Sequence, residues 1–307
     1  IEPLPNGNIL MIAWARKYSS EWSAMGRTTV NNTLNQIWST SIFEIEPNLE
    51  AGSSEIVWEW HLWDHLVQDI GSSYGAQYGT ISDHPELMNI NCGSVGSNGG
   101  PGGQPNGDWM HINAISYNAN LDQIILSSRH QDEIYIIDHS TTTQEATGHS
   151  GGNSGMGGDF MYRWGNPQNY NRGNNSNHIL ADQHSINWIP DGYPGEGNLI
   201  LFNNFNTNNS SAVIEFTPAL HDDGTYPIGN DEPFGPDNYV WMYTGGFLSE
   251  AQGGSFRLPN GNTLITDATD ARIFEIDTNE IKLPIIFGIL IIVSKGTAVA
   301  PFIYGFF

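Results

Sequence analysis

The feature of the sequence that most limits the possible fold is a repeated hairpin pattern. The segment PLPNGNILMIAW at residues 3–14 recurs as RLPNGNTLITDA at 257–268, and a more divergent copy, WIPDGYPGEGNLILFNN, covers 188–204. Each copy has an apolar stretch, an Asn-Gly or Asp-Gly turn and a second apolar stretch, and such turns favour tight antiparallel hairpins. A recurring hairpin predicts a fold that is built from similar units.

Two further strands are predicted after the hairpins. The third-strand segments are SIFEIEP, EIYIIDHS, AVIEFTP and RIFEIDT, and the fourth-strand segments, which end in aromatic residues, are EIVWEWHLW, DFMYRWGNP and YVWMYTG. Four antiparallel strands per unit are typical of a propeller blade, whereas a β-sandwich gives no reason for this order to recur. The sequence therefore predicts an all-β fold, a β-propeller with about four blades in residues 1–282, the last of them incomplete.

Two insertions and the tail depart from the repeat. Residues 66–107 and 146–158 include polar, Gly-rich stretches and are predicted to be long surface loops. The tail at 283–307 is almost uncharged, but Lys295, Gly296 and Pro301 interrupt it, so its apolar run is too short for a membrane span. We expect this tail not to belong to the repeat. The start, IEPLPNGNIL, lies inside a strand pattern and indicates a mature product or a fragment.

The charge of the chain excludes some partners. Ten Lys and Arg residues stand against 33 Asp and Glu residues, which gives a formal charge of −23. Such a field repels nucleic acid and anionic membrane surfaces. An anionic substrate would need the few cations to be concentrated at its binding site. Cys92 is the only cysteine, which excludes an intrachain disulfide and argues against a thiolate metal site.

Candidate functional residues stand at the ends of predicted strands. His111 and Asn113 are two residues apart, so they share one face of a strand, and Arg129 ends the next strand. His184, in ADQHSINWIP, has a similar place in the following unit. If the first strand of each blade lines a central channel, these four side chains converge on a site for a small anion. The alternative is a hydrogen-bonded core pair, His111 with Asn113, beside an arginine that caps a loop.

No metal site is predicted. An HxxxH pattern occurs in WHLWDHLVQD, at His61 and His65, but it lacks the glutamate of zinc proteases and falls on a strand-to-loop segment. The positive charge of Arg129 argues against a divalent cation among the candidate residues.

Several motifs make the chain resemble the bacterial arylsulfotransferases that do not use a nucleotide sulfate donor. They are WEWHLWDHLVQD, DWMHINAISYN, IILSSRHQDEIYIIDH, YRWGNP, QHSINWIP, SAVIEF and LPNGNTLI, and they extend from about residue 1 to residue 277. The resemblance implies a six-bladed propeller and a location in the periplasm or outside the cell. It also implies transfer of a sulfuryl group from an aryl sulfate to a phenol through a sulfohistidine, without a cofactor.

The resemblance also implies roles for individual residues. His184 corresponds to the histidine nucleophile, and His111 and Arg129 to further catalytic residues. The residues assigned to substrate binding are Asn113, His65, Ser249 and Ser255, the two serines being alternatives for one position. A further active-site histidine is expected upstream of residue 1, so we expect this stretch of chain alone to be inactive. The open alternatives are a propeller that binds a sulfated or carboxylated ligand without turnover and a sulfatase-like hydrolase; a homo-oligomer is left open.

Overall fold

The computed structural model describes residues 1–99, 103–207 and 209–283, and most of its regular structure is antiparallel β-sheet. The first sheet contains β1 (Glu2–Pro3), β2 (Ile9–Lys17), β3 (Ile37–Asn48) and β4 (Ser53–His61). A small parallel sheet follows, with β5 (Leu66–Gln68) between β6 (Gln77–Tyr78) and β7 (Met88–Asn89). The second large sheet contains β8 (Ile112–Asn118), β9 (Gln123–Ser128), β10 (Glu133–Asp138) and β11 (Tyr162–Trp164).

Two more sheets complete the described part. The third contains β12 (His184–Trp188), β13 (Leu199–Thr207), β14 (Ser210–Phe216) and β15 (Trp241–Tyr243). The fourth contains β16 (Gly254–Arg257), β17 (Thr263–Asp267), β18 (Arg272–Ile276) and β19 (Lys282–Leu283). The helices given with bounds in the described part are α1 (Ser19–Ala24), α2 (Thr143–Ala146) and 3₁₀ turns at Leu62–Asp64, Ile81–Asp83, Pro167–Tyr170 and Asn175–Asn177. None of the helices in the described part has the length and apolar character that crossing a bilayer requires.

In each large sheet the strands are neighbours in the order in which the chain makes them. This confirms the predicted units of four antiparallel strands. The fourth unit is more complete than predicted, because β19 pairs with β18 and supplies a short fourth strand. Leu283, which the sequence pattern assigned to the tail, is part of that strand; the rest of the predicted tail, residues 284–307, lies outside the described residues.

The repeated turn sequences form the same structure. The amide of Gly7 donates to Leu4 O at 3.0 Å, and that of Gly261 donates to Leu258 O at 2.9 Å. Both glycines have positive φ, +91° and +88°, which explains why glycine occupies the position. Each turn is also tied to the third strand of its sheet by an asparagine amide that donates to a glutamate, in the pairs Asn8–Glu44, Asn198–Glu215 and Asn262–Glu275.

The core lies between consecutive sheets. On β13, Leu199 and Leu201 belong to the apolar cluster shared with the second sheet, whereas Ile200 and Phe202 belong to the cluster shared with the fourth. A middle sheet is thus buried on both faces, and all residues of β9 and β10 are buried. This explains why these strands read as continuous apolar runs rather than as alternating ones. The first strands of successive sheets contact each other, β1 with β8, β8 with β12 and β12 with β16, so their ends lie side by side.

The segment 66–107, which was expected to be a long surface loop, instead contains the small parallel sheet and is anchored in the core. Arg163 Nη1 donates to the carbonyl oxygens of Leu87 and Pro85 at 2.9 and 3.3 Å. The same guanidinium pairs with Glu133, at 2.7 Å between Nη2 and Oε2, and both side chains are completely buried. The segment therefore packs on the second sheet. In the predicted loop 146–158, Ala146 ends α2 and residues 147–158 form turns and bends.

His139 joins the first two sheets through two carboxylates. Its Nδ1 lies 2.8 Å from Asp122 Oδ1 and its Nε2 2.9 Å from Glu44 Oε2. Burial alone would lower the pKa of His139, but the hydrogen bonds and charges of Asp122 and Glu44 raise it above the ordinary 6.5. The protonated ring therefore stabilises the fold fully below the unfolded-state pKa, and this stabilisation is lost as the pH rises through the higher pKa of the folded state.

We expect His139→Gln to lower the free energy of unfolding by about 1.5–3 kcal/mol at about pH 6, and by less at about pH 9, because the charged hydrogen bonds exist only while the ring is protonated. Urea unfolding at the two pH values measures the difference. His84→Gln is the control, since its partner Glu86 is two residues away and both side chains are partly exposed; we expect a change below about 0.5 kcal/mol there. An equal loss at both pH values for His139→Gln would contradict the prediction.

Candidate functional site

The candidate site begins with a β-bulge in β8. His111 comes immediately before this strand with a φ of +49°, and the register of β8 against β9 shifts between Ile112 and Ala114. His111 and Asn113 were predicted to share one strand face. This alternation does not hold, because His111 stands outside the strand and Asn113 lies in the bulge. Bulges re-aim side chains and are common beside functional sites.

A second bulge occurs at the equivalent place in β12. His184 pairs with Phe202, and the register then shifts before Asn187. Ser185 inside this bulge has a φ of +59°, which is uncommon for a residue other than glycine. Because β8 and β12 are in contact, both irregular strand beginnings face the same region. Asn113 connects them, since its Nδ2 donates to Gln183 O at 2.7 Å.

Hydrogen bonds determine which ring nitrogen of His184 carries the proton. Its Nδ1 lies 2.9 Å from the carbonyl oxygen of Asp182 and 2.8 Å from Oδ1 of Asn204. The orientation of the Asn204 amide follows from its Nδ2, which donates to the carbonyl oxygens of Ser249 and Gln252 at 2.9 and 2.6 Å. Both partners of Nδ1 are acceptors, so Nδ1 is the donor and Nε2 keeps its lone pair.

The surroundings keep the His184 ring neutral. Burial lowers the pKa of His184 below its ordinary 6.5, and the positive charges of Arg129 and His111 act in the same direction against the hydrogen bonds to Asn204 and Asp182. Arg129 and His111 are thus close enough to His184 for their charges to act on it. A neutral imidazole with a free Nε2 lone pair is a competent nucleophile.

Arg129 supplies a fixed positive charge between the two bulges. Its backbone amide donates to His111 O at 3.2 Å, and its Nη2 donates to Asp182 Oδ2 at 2.8 Å. About a third of the side chain is exposed, and its buried Nε has no hydrogen-bond partner among the residues that the structure describes. The buried Oδ1 of Asn113 likewise has no hydrogen-bond partner among the described residues. The guanidinium thus retains donor capacity for an anion, in addition to its ion pair.

Asp108 positions His111. One carboxylate oxygen accepts from the His111 backbone amide at 3.1 Å, and the other lies 2.5 Å from its Nδ1. Since a carboxylate accepts, Nδ1 is the donor and Nε2 is left for a proton exchange with a ligand. The ring of His130 lies 4.8 Å from that of His111, and the ligand atoms of Asp108, His111 and His130 lie within 4.8 Å of one another. These three could hold a metal ion, but the charge of Arg129 next to them disfavours it.

The two serines that were alternatives for one position differ in their surroundings. The Ser249 hydroxyl accepts from the backbone amides of Ala268 and Thr269 at 3.1 and 3.2 Å and also donates locally, so it is occupied. Ser255 Oγ is buried without a partner among the described residues, and its backbone amide approaches Ser185 Oγ at 3.4 Å. The geometry therefore favours Ser255 over Ser249 as a hydroxyl near the site.

His65 is not brought to this group. Its side chain is completely buried, and its two ring nitrogens contact Asp159 Oδ1 and Ala146 O at 2.7 and 2.8 Å. The assignment of His65 to substrate binding thus has no support in the geometry. His61, the other histidine of the HxxxH pattern, contacts Ser41 Oγ instead, at 2.8 Å. The two histidines do not share a site.

Two residues that position the imidazoles were not found from the sequence. Asn204 lies in FNNFN, where nothing distinguishes it from the neighbouring asparagines, and its role depends on the β12–β13 pairing. Asp108 had a visible signal, because it stands three residues before His111 in DWMH. Two cavities of about 260 and 250 Å³ in the described part are lined by other residues, around Trp164 and around Asn120.

A sequence model of the Arylsulfotransferase (ASST) family matches residues 1–217, which include His111, Asn113, Arg129, His184 and Asn204. Among the solved structures with a significant match is a protein of unknown function from Bacteroides caccae, at 12% identity and a TM-score of 0.34 over 80% of this chain and 53% of that one. This chain thus spans about half the length of that protein.

A comparison with curated proteins found no significant match. The family model covers well over half of the 307 residues. The chain therefore belongs to the arylsulfotransferase family.

Proposed function

We propose that the protein transfers a sulfuryl group from an aryl sulfate ester to a phenol, and that His184 carries the group between the two substrates. One observation supports this above the others. The Nδ1–H of His184 is hydrogen-bonded to Asn204 and Asp182, its Nε2 has no hydrogen-bond partner in the part of the chain that the structure describes, and the charges of Arg129 and His111 act on the ring. Membership of a sulfotransferase family agrees with a site of this kind, and it indicates small-molecule substrates.

In the first half of the proposed reaction, Nε2 of His184 attacks the sulfur of the donor. The bond between sulfur and the aryl oxygen breaks, its electron pair leaves with the phenolate, and His111 gives that oxygen a proton. Negative charge on the three sulfuryl oxygens is stabilised by the guanidinium of Arg129 and by the second N–H of Asn113 Nδ2, whose first N–H donates to Gln183 O. The products are a phenol and an N-sulfohistidine whose Nδ1–H still donates to Asn204.

In the second half, the oxygen of an acceptor phenol attacks the same sulfur. The bond between nitrogen and sulfur breaks, and its electron pair returns to Nε2 of His184. His111, deprotonated in the first half, takes the proton of the acceptor and is ready for another cycle. Donor and acceptor thus use one site in turn, which is a ping-pong mechanism.

The fold proposal is that the four large sheets are consecutive blades of a propeller, six-bladed as the family resemblance implies. Its support is the antiparallel order within each sheet and the contacts between the first strands of successive sheets. In such a ring the bulges of β8 and β12 face the central axis. An exported location, in the periplasm or outside the cell, belongs to the same proposal and is supported by the family alone.

The test of the function is the release of nitrophenol from 4-nitrophenyl sulfate by the full-length protein, measured with and without an added phenol. We expect steady release only with the phenol, one equivalent of release without it, and the mass of one sulfuryl group added to a peptide that contains His184. Steady release without acceptor would indicate a hydrolase instead. Saturable binding of the ester without any release would indicate a binding module and would refute the proposal.

Asn204→Asp is expected to move the acidic limb of the pH–rate profile to higher pH. In the native protein burial holds the pKa of His184 below its ordinary 6.5, so the ring is neutral at neutral pH. A carboxylate at 204 would favour the protonated ring and raise that pKa, so activity should fall at a higher pH. The profile of kcat against pH measures the shift.

The matched control is Asn203→Asp, on the neighbouring residue of β13. Asn203 is also buried, but its side chain bonds to the backbone of Ala181 and Ile179 rather than to His184. We expect that variant to lose stability and to keep the acidic limb where it is. A limb that moves equally in both variants would show that Asn204 has no specific effect on His184.

A further inference from the structure

Two imidazoles and a carboxylate meet at a place separate from the candidate site. His65 follows the 3₁₀ turn after β4, His149 lies in the loop after α2, and Asp159 stands before β11. Nδ1 of His65 and Nδ1 of His149 lie 2.7 and 2.8 Å from the same atom, Oδ1 of Asp159. One ligand atom from each of the three residues lies within 4.8 Å of the other two.

The hydrogen bonds of His65 bring its Nδ1 against an acceptor atom. The carbonyl oxygen of Ala146 only accepts, so the proton of the neutral ring is on Nε2, 2.8 Å from that oxygen. The lone pair of Nδ1 then points at a carboxylate oxygen, which also has only lone pairs to offer. A positive species between them, a proton or a metal ion, removes this repulsion. A metal-bound histidine usually donates its other ring N–H to a carboxylate or a backbone carbonyl, as Nε2 of His65 does to Ala146 O.

Two of the three groups are rigidly held, and the third gives access to solvent. The rings of Trp60 and His65 are stacked, with centroids 5.6 Å apart and an angle of 3° between their planes, and Trp60 Nε1 donates to Gly158 O at 2.7 Å. Asp159 is nearly buried, whereas half of the His149 side chain is exposed. A Cβ at Gly158 would lie 2.2 Å from Ala146 O and 2.7 Å from His65 Nε2, so only glycine fits beside this group.

We propose that His65, His149 and Asp159 bind a divalent transition-metal ion, Zn²⁺ by the chemistry of the donors, with water as the remaining ligand. Two imidazole nitrogens and one carboxylate oxygen suit Zn²⁺, whereas Mg²⁺ and Ca²⁺ prefer oxygen ligands throughout. A tetrahedral ion with bonds of about 2.0–2.1 Å holds its ligand atoms about 3.3 Å apart. The pairs His65–Asp159 and His149–Asp159, which lie at 2.7 and 2.8 Å, must therefore each widen by about half an ångström on binding. The loop position of His149 permits this, and for His65 it requires a small rotation of the Asp159 carboxylate. The bound ion joins the loop 147–158 to the segment after β4.

The experiment is a titration of the chelator-treated protein with Co²⁺, followed by its visible absorption, and with Zn²⁺, followed by calorimetry. We expect one equivalent of either ion per chain, the absorption of a tetrahedral or five-coordinate Co²⁺ ion, and a higher Tm with Zn²⁺. His149→Ala, at an exposed position, should weaken binding at least about tenfold, and Asp159→Asn should do the same.

The matched control is His130→Ala, which removes a member of the other group of possible ligands, Asp108, His111 and His130. It should leave the Co²⁺ absorption and the Zn²⁺ affinity unchanged. The proposal is overturned if no ion binds, if His149→Ala and Asp159→Asn bind as tightly as the native protein, or if only His130→Ala loses binding. In the first case a proton holds the group together.

Discussion

Replacing His184 by Asn is expected to abolish sulfuryl transfer, with a loss of at least about 10³-fold in kcat for every donor. Asparagine keeps a polar side chain of similar size, and its amide nitrogen can still donate to Asp182 O or Asn204 Oδ1, the present partners of Nδ1. It has no basic nitrogen that could attack sulfur. Nitrophenol release with phenol as acceptor measures the loss, and the mass of the protein after incubation with donor alone should show no added sulfuryl group.

His111→Asn is the comparison that separates the two histidines. Loss of a general acid costs about 10²–10⁴-fold when the leaving phenolate needs a proton, and less when the phenol is acidic enough to leave as an anion. His111→Asn should therefore affect an unsubstituted phenyl sulfate much more than 4-nitrophenyl sulfate, whereas His184→Asn should affect both equally. Turnover that survives in His184→Asn, or an added sulfuryl group on another residue, would refute the assignment of the nucleophile.

The sheets could be predicted because their signals are local. An Asn-Gly turn, such as Asn6-Gly7, and the apolar strands that flank it lie within about a dozen residues, and each unit repeats this order. The sequence did not predict the strands within the 66–107 insertion. Its short strands pair in parallel, and Arg163, far along the chain, provides the carbonyl contacts that hold it. Such a segment has no hairpin pattern of its own.

The candidate site was predictable as a set of residue types but not as a geometry. Family motifs identified His111, Arg129 and His184, but strict strand alternation was the wrong basis for placing His111, because bulges interrupt the period of two. The proton position on His184 depends on Asn204, twenty residues later, whose own amide is oriented by two backbone carbonyls of another segment. A buried network of this kind exists only after the sheets have packed.

The largest effect on stability is expected from the buried ion pair in the second sheet. Arg163→Met should lower the free energy of unfolding by about 3–5 kcal/mol, because it leaves Glu133 as a buried carboxylate without its cation. Tyr135 Oη and Asn169 Nδ2 still donate to that carboxylate, at 2.9 and 2.8 Å, but neither carries a charge. Urea unfolding measures the loss. Arg16→Met is the control, since the guanidinium of Arg16 makes only an exposed contact of 3.5 Å to Tyr18, and we expect it to change stability by less than about 0.5 kcal/mol.

The double variant Arg163→Met with Glu133→Leu tests the cause of this loss. If the unpaired charge is responsible, removing the carboxylate should restore part of the stability, although the carbonyls of Pro85 and Leu87 still lack their donor. The remaining deficit should then appear as faster hydrogen exchange in β7 and its neighbours, because the Arg163 guanidinium donates to the carbonyls of Pro85 and Leu87 just before β7. A double variant that is no more stable than Arg163→Met would show that the packing of the guanidinium, 4.4 Å from the Tyr170 ring, matters more than its charge.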